Sequence, residues 1–162
     1  TLGDTWFYKG NHQKAMSYYG EAIEYAREMG NKLVLGNSLI EKGIVCLATG
    51  DLALARQVLE EGRDIALALG NADLTFGANI LRSQVIMAEN NKVEALRQLR
   101  QLLALARTER EEAAVHFELR KIADNPTPHH VRAATLYRNL YARTPQHVYK
   151  LRLEELGEPP LT

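Results

Sequence analysis

Residues 50–71 read GDLALARQVLEEGRDIALALGN, an apolar segment with a turn signal at each end. Apolar residues recur in it at three- and four-residue steps, which is the period of one face of an α-helix. They are Ala53, Ala55, Val58, Leu59, Ile65, Ala66 and Leu69. Ala, Leu, Glu, Arg and Gln dominate the segment, and all of them favour helix formation. The stretch therefore predicts one helix between two turns.

The turn signals recur at a constant spacing along the chain. They are Gly10-Asn11, Gly30-Asn31, Gly50-Asp51, Gly70-Asn71 and Asn90-Asn91, each 20 residues after the last. Gly accepts the left-handed conformation just past a helix, and Asn or Asp can cap the helix that follows. No proline precedes Pro126, so no helix is interrupted before it. Short connections make neighbouring helices antiparallel, and the pattern predicts an all-α solenoid with two helices per 40 residues.

Small and aromatic residues recur within these units. Alignment by the turns matches Gly3 with Gly43 and Ser83, Trp6 with Cys46 and Ile86, Ala15 with Ala55 and Ala95, and Tyr19 with Leu59 and Leu99. The run Gly3, Trp6, Gly10, Ala15, Tyr19, Ala22 resembles the tetratricopeptide repeat (TPR). The period of 40 exceeds the standard roughly 34 and is similar to a longer-helix subclass of that family. The resemblance implies a right-handed superhelix of antiparallel hairpins with C-terminal capping helices.

The pattern divides the chain into regions of decreasing regularity. Residues 1–107 are predicted to form three repeats, of which the first is truncated at its N-terminus. Residues 108–157 are predicted to form a degenerate fourth repeat plus a capping helix, and residues 158–162 are predicted to form a tail. Helices are expected at about 109–123, 129–142 and 146–156, separated by Asp124–Pro128 and ended by Gly157 with Pro159-Pro160. Two prolines two residues apart are expected to lie outside a helix. Terminal repeats of solenoids are atypical because one face meets water.

Composition sets limits on the class of protein. The 162 residues are 46% apolar and 25% charged, with formal net charge zero, so no overall field attracts nucleic acid or an anionic membrane. No apolar run approaches the roughly 18 residues of a spanning helix. The charged, then apolar, then small-residue pattern of a leader is not found in these residues, so no secretory signal is expected. Cys46 is the only cysteine, which fits a reducing compartment, and a cytoplasmic location is predicted. The chain begins at Thr1 with a motif already under way, and we interpret it as a piece of a longer protein.

Residue patterns for catalysis were not found in the sequence. It has no Gly-rich phosphate loop after a strand, no GxSxG elbow and no Cys/His zinc spacing. His129 and His130 are adjacent, so on a helix they point about 100° apart and share a metal poorly. We therefore predict no enzyme activity, no cofactor and no metal site.

The resemblance implies a concave groove lined by the first helix of each hairpin. Its positions are Asp4, Phe7, Tyr8, Asn37, Ile40, Ile44, Leu47, Ile80, Gln84 and Met87. Ile40, Ile44 and Ile80 stand where one TPR subgroup has the basic residues and Asn that grip a peptide carboxylate, so that mode is not favoured. An apolar stripe instead predicts a protein or peptide partner with an apolar or amphipathic helix, and self-association is a further option. The alternative is that the stripe is core, filled by the chain itself.

A local basic segment lies near the C-terminus. Residues 125–153 contain no acidic residue, and Arg132, Arg138, Arg143, Lys150 and Arg152 are interleaved with Tyr137, Tyr141 and Tyr149. Such a patch could touch nucleic acid or an acidic partner, but a solvated cap is the favoured interpretation and nucleic acid is not expected. The predicted function is a protein-interaction scaffold. The alternative is a regulatory or sensor module of a larger signalling or transcription-regulating protein, binding a peptide or small effector.

Overall fold

A computed structural model describes residues 2–158; Thr1 and residues 159–162, with Pro159-Pro160 and most of the predicted tail, lie outside the described residues. The fold of the described residues is all-α, without a strand, as predicted. The helices are α1 (Leu2–Tyr8), α2 (His12–Glu28), α3 (Lys32–Thr49), α4 (Leu52–Leu69), α5 (Ala72–Ala88), α6 (Lys92–Leu105), α7 (Glu109–Ile122), α8 (Thr127–Arg143) and α9 (His147–Glu155).

The predicted turn chemistry is confirmed at the helix ends. Gly10, Gly30, Gly50 and Gly70 all have positive φ, between 59° and 80°. The residue after each of them caps the next helix; the side chain of Asp51, for example, accepts a hydrogen bond from the backbone N–H of Leu54 at 3.0 Å. At the fifth turn Asn90 takes the left-handed conformation with φ 62°. Asn tolerates that region better than other residues with a side chain.

The start of α8 differs from the expectation. The helix begins at Thr127, with Pro126 at its N-cap and Pro128 in its first turn, rather than at about His129 after both prolines. The first N–H groups of a helix have no acceptor within it, so a proline there removes no hydrogen bond. The two prolines therefore end the connection from α7 and open α8.

The chain divides into two compact units between Asn91 and Lys92, at the last of the predicted turns. In the first unit each helix packs against the next, and α3 also packs against α5. One buried cluster of this unit, which we call its core, joins α3, α4 and α5 and contains Ile40, Cys46, Ala55, Leu59, Ala66, Leu74, Ala78, Leu81 and Val85. Small residues permit close helix contact, since a Cβ on Gly62 would lie 3.5 Å from the carbonyl oxygen of Gly36.

The second unit contains α6 to α9, and α7, α8 and α9 share its main cluster. That cluster consists of Ala113, Phe117, Ala133, Ala134, Leu136, Tyr137, Tyr149, Leu153 and Leu156. A capping box fixes the start of α7: the Thr108 hydroxyl accepts from the backbone N–H of Glu111, and the Glu111 carboxylate accepts from the backbone N–H of Thr108. No helix within residues 2–158 has the length and apolar character needed to cross a membrane.

Candidate functional site

The first hairpin contributes three of the predicted groove residues, and all three are half-buried. Asp4 accepts a hydrogen bond from the Tyr19 hydroxyl, which ties α1 to α2. The Phe7 ring lies 5.5 Å from the Tyr8 ring and 5.4 Å from the His12 ring, measured between centroids. Phe7 also packs against the cluster of buried residues that contains Tyr19. The Asp4 carboxylate is therefore already hydrogen-bonded within the hairpin.

Ile40 is a core residue with 5% of its surface exposed. It lies where three helices meet: a Cβ on Gly62 of α4 would be 3.3 Å from Ile40 Cγ1, and a Cβ on Gly77 of α5 would be 3.9 Å from Ile40 Cγ2. The absence of a side chain at Gly62 makes room for the isoleucine, whereas a Cβ at Gly77 would make an ordinary van der Waals contact with it. Ile40 thus fills the space between hairpins and does not project from them.

The other α3 positions have different surroundings. Ile44 and Leu47 are half-buried and pack against the margin of the first unit's core. Asn37 is exposed, and its side-chain amide donates to the carbonyl oxygen of Leu33 at 3.1 Å. One helix therefore carries a core residue, two marginal apolar residues and one solvated residue among the predicted positions.

Helix α5 carries the remaining positions. Ile80, Gln84 and Met87 are half-buried and follow one another at four- and three-residue steps, so they share one face of the helix. Because α3 packs directly against α5, partly exposed apolar side chains are available on two adjacent helices. These side chains are Ile44, Leu47, Ile80 and Met87, and we call them the apolar stripe.

The basic segment is neutralised by carboxylates. All five of its cations form ion pairs: Arg132 with Glu112, Arg138 with Glu158, Arg143 with Glu109, Lys150 with Glu154 and Arg152 with Glu155. Glu112, Glu158 and Glu109 lie at least 20 residues from their partners in sequence, so only folding brings these three pairs together. Each exposed pair stabilises the fold by at most about 1 kcal/mol. The larger effect of these ion pairs is to lower the positive electrostatic potential of the segment, which a nucleic acid would need for binding.

A histidine pair that the sequence did not indicate joins α7 to α8. The Nδ1 atoms of His116 and His129 lie 2.9 Å apart, so one ring must donate its N–H to the lone pair of the other. Burial lowers the pKa of both rings; the charge of His129 further lowers the pKa of His116, and Arg100 further lowers that of His129. A proton on either ring is therefore less favourable than on a solvent-exposed histidine. The two residues are 13 positions apart on different helices, and no local signal marks such a contact.

Neither a metal-binding cluster nor an accessible thiol is found among residues 2–158. Within the described part of the chain, no group of three or more His, Cys, Asp or Glu side chains is arranged to hold a metal ion. The Cys46 thiol is fully buried, with Sγ 4.0 Å from the Met16 sulfur, and burial raises its pKa. Cys46 therefore acts as a packing residue.

Comparison of the sequence with protein-family models and with curated proteins finds no match. The resemblance to the TPR family rests on the small and aromatic residues of residues 1–107 and stays a prediction. What the geometry offers is a set of partly exposed apolar side chains on α3 and α5.

Proposed function

We propose that the chain is an α-solenoid of the TPR type, with a right-handed superhelix, that binds a partner protein and catalyses no reaction. The packing of α3 against both α4 and α5 supports this proposal. In a simple antiparallel bundle a helix need only contact its sequence neighbours, whereas stacked hairpins bring each first helix against the first helix of the next hairpin.

The apolar stripe is the surface we assign to the partner. Ile44 and Leu47 on α3 and Ile80 and Met87 on α5 are half-buried, so each retains apolar area for a partner to cover. Burial of apolar area stabilises a complex by about 25 cal/mol per Å² before the costs of association. Met side chains adapt to different partner shapes. An amphipathic helix laid against the stripe is the recognition mode that fits.

The electrostatics of the chain favour an apolar over an acidic partner. The five cations of residues 125–153 are already paired with carboxylates. None of the four stripe residues carries a charge. Binding to the stripe is therefore expected to weaken little between low and moderate salt, because screening acts on charged contacts.

Selection from a displayed library of amphipathic helical peptides tests this function. We expect peptides with one apolar face to be enriched on the wild-type chain, and their binding to be lost at least tenfold in Ile44→Asp and Met87→Asp. A partner's apolar face cannot bury an unpaired carboxylate without a large desolvation cost. Thr49→Asp, an exposed change near the end of α3, is the matched control and should bind normally. Peptides that bind all three variants equally would reject the stripe as the site.

A further inference from the structure

Three cations lie close to one buried aromatic ring in the second unit. Phe117 on α7 is 1% exposed, and the Tyr137 ring of α8 packs edge to face with it, with the centroids 6.1 Å apart. The guanidinium carbons of Arg120 and Arg152 lie 4.3 and 4.5 Å from the Phe117 centroid, and Lys121 Nζ lies 4.7 Å from it. The negative face of an aromatic ring attracts cations. Phe117 therefore gathers positive charge from α7 and α9 at one place.

Two of these three cations have carboxylate partners. Lys121 Nζ lies 3.0 Å from both oxygens of Glu118, and Arg152 Nη1 lies 3.1 Å from a Glu155 oxygen. Arg120 contacts the Phe117 ring but forms no ion pair within residues 2–158. The cluster therefore keeps one positive charge without a counter-ion, and that charge is on Arg120.

The Arg120 side chain is oriented before any ligand arrives. Its Nε atom is fully buried and has no hydrogen-bond acceptor. The residue as a whole is half-buried, and its terminal nitrogens, Nη1 and Nη2, stay in contact with solvent. Because the stem is buried and the guanidinium rests on a ring, little side-chain freedom remains to be lost on binding. The two terminal nitrogens form a planar fork that matches the two oxygens of a carboxylate.

The neighbouring carboxylates favour one anionic group over a chain of phosphates. Glu118 and Glu155 are already paired with the two cations beside Arg120. A second phosphate next to a bound first one would meet these carboxylates, whereas a single Asp or Glu side chain needs only the free fork. Nucleic acids gain affinity by having several phosphates neutralised together. One unpaired arginine therefore suits a protein partner better than a nucleic acid.

We propose that Arg120, supported by Phe117, is a binding site for one Asp or Glu side chain of a partner protein. Arg120 precedes residues 125–153 and is not one of the five paired cations of that segment. The site lies wholly within the second unit, whereas the apolar stripe lies in the first, so the proposal does not rest on the stripe. Binding at Arg120 weakens as salt rises, because the fork faces solvent.

Sodium acetate is the simplest probe of this site. Side-chain N–H spectra of the full chain are recorded in the cold, to slow proton exchange, while acetate replaces chloride at constant ionic strength. The Nε–H signal of Arg120 should shift along a saturation curve. Arg107 is the matched control, since it is exposed and neither an ion pair nor an aromatic ring holds its guanidinium. Its signal should shift little and without saturation, and equal linear shifts of the two signals would overturn the proposal.

Displayed random peptides identify the source of the carboxylate. Selection on the full chain at low salt should enrich a class of peptides with Asp or Glu at a constant position. Binding of this class should fall by about tenfold in Arg120→Gln, and by less in Arg120→Lys, which keeps the charge but loses the fork. Binding should be unchanged in Arg107→Gln. It should also be unchanged in Ile44→Asp, so that this site and the apolar stripe succeed or fail separately.

A selection that enriches no acidic class would overturn the proposal, and so would acidic peptides that bind Arg120→Gln as tightly as the wild-type chain. An oligonucleotide of dT is the competing probe. If it binds more tightly than the acidic peptides, and Arg120→Gln abolishes that binding, the assignment of the site to a protein partner is wrong.

Discussion

The ring of Tyr19 lies directly against Gly3, so that a Cβ on Gly3 would meet ring carbons of Tyr19 at 2.7 Å. The hydroxyl of the same tyrosine donates to Asp4, the next residue of α1. The ring is thus held by α1 through both its edge and its hydroxyl, and Tyr19 is 4% exposed. Any side chain on residue 3 must move this ring or separate α1 from α2.

Gly3→Ala should therefore destabilise the chain, although alanine is the better helix former. We expect a loss of about 1–2 kcal/mol, the usual range for overpacking at a tight contact. Gly20→Ala is the matched control, because a Cβ on Gly20 in α2 would meet nothing within 4 Å. It should stabilise the chain by roughly 0.5–1 kcal/mol through helix propensity alone. Urea unfolding of the two variants measures both effects, and a stabilising Gly3→Ala would contradict the contact.

Ala55→Leu should lower the melting temperature. Ala55 is fully buried in the core of the first unit, and the added atoms must displace Leu59 or its neighbours. Overpacking of this kind costs about 1–3 kcal/mol, or roughly 2–10 °C for a chain of this size. Ala53→Leu, two residues earlier and exposed, should change the melting temperature little. Equal effects at the two positions would show that the face assigned to the core is wrong.

Local chemistry made the helices and turns of this chain predictable. Gly30 and Asn31, for example, act through one backbone conformation and one capping bond, and both depend only on adjacent residues. The prediction placed Pro128 outside the helix, and this was wrong, because Pro128 lies in the first turn of α8. A proline is excluded from the interior of a helix but accepted in its first turn.

Contacts between helices could not be predicted in the same way. The Nδ1–Nδ1 contact of His116 and His129 depends on the register of α7 against α8, which no sequence spacing specifies. The ion pair of Arg143 with Glu109 spans the same two helices, and it removes charge from a segment that appears basic in sequence. The burial of Ile40 likewise depends on Gly62 of another helix, where a Cβ would lie 3.3 Å from Ile40 Cγ1.

The Cys46 thiol should react only when the chain unfolds. Its side chain is fully buried, and burial raises its pKa, so both access and thiolate formation are suppressed. Labelling with an aromatic disulfide reagent should be slow in buffer, and its extent should follow the urea unfolding curve. Rapid stoichiometric labelling without denaturant would show that the α3–α4 contact opens readily.

Stability should fall as the pH decreases below about 6.5, the ordinary pKa of histidine. Burial lowers the pKa of both His116 and His129 in the folded chain, so the unfolded chain takes up protons at a higher pH than the folded chain does. The stability contributed by the neutral histidine pair is fully present above about pH 6.5, and it is lost as the pH falls toward the lowered pKa values of the folded chain. Glu112 faces both His116 and Arg132, and the hydrogen bond from Arg132 lowers the pKa of the Glu112 carboxyl. The stability that ionised Glu112 contributes is therefore lost only below about pH 4.5.

Urea unfolding at a series of pH values separates these windows. The double variant His116→Gln with His129→Gln should lose most of the slope between about pH 7 and 5, because neither glutamine titrates. His12, His130 and His147 are present in both proteins and serve as the internal reference. An unchanged slope in the double variant would exclude the pair as its source.

Ile40→Asp and Ile44→Asp should differ in their effect on folding, although the two residues are one helical turn apart. Ile40 is 5% exposed between α4 and α5, so its replacement buries an unpaired carboxylate and should cost at least about 3 kcal/mol, as should Leu59→Asp. Ile44 is half-buried, so the carboxylate of Ile44→Asp can reach water, and we expect a loss of about 1 kcal/mol or less. Thermal unfolding of the three variants makes the comparison. If Ile44→Asp collapses as completely as Leu59→Asp, the apolar stripe belongs to the core and is not the partner-binding surface.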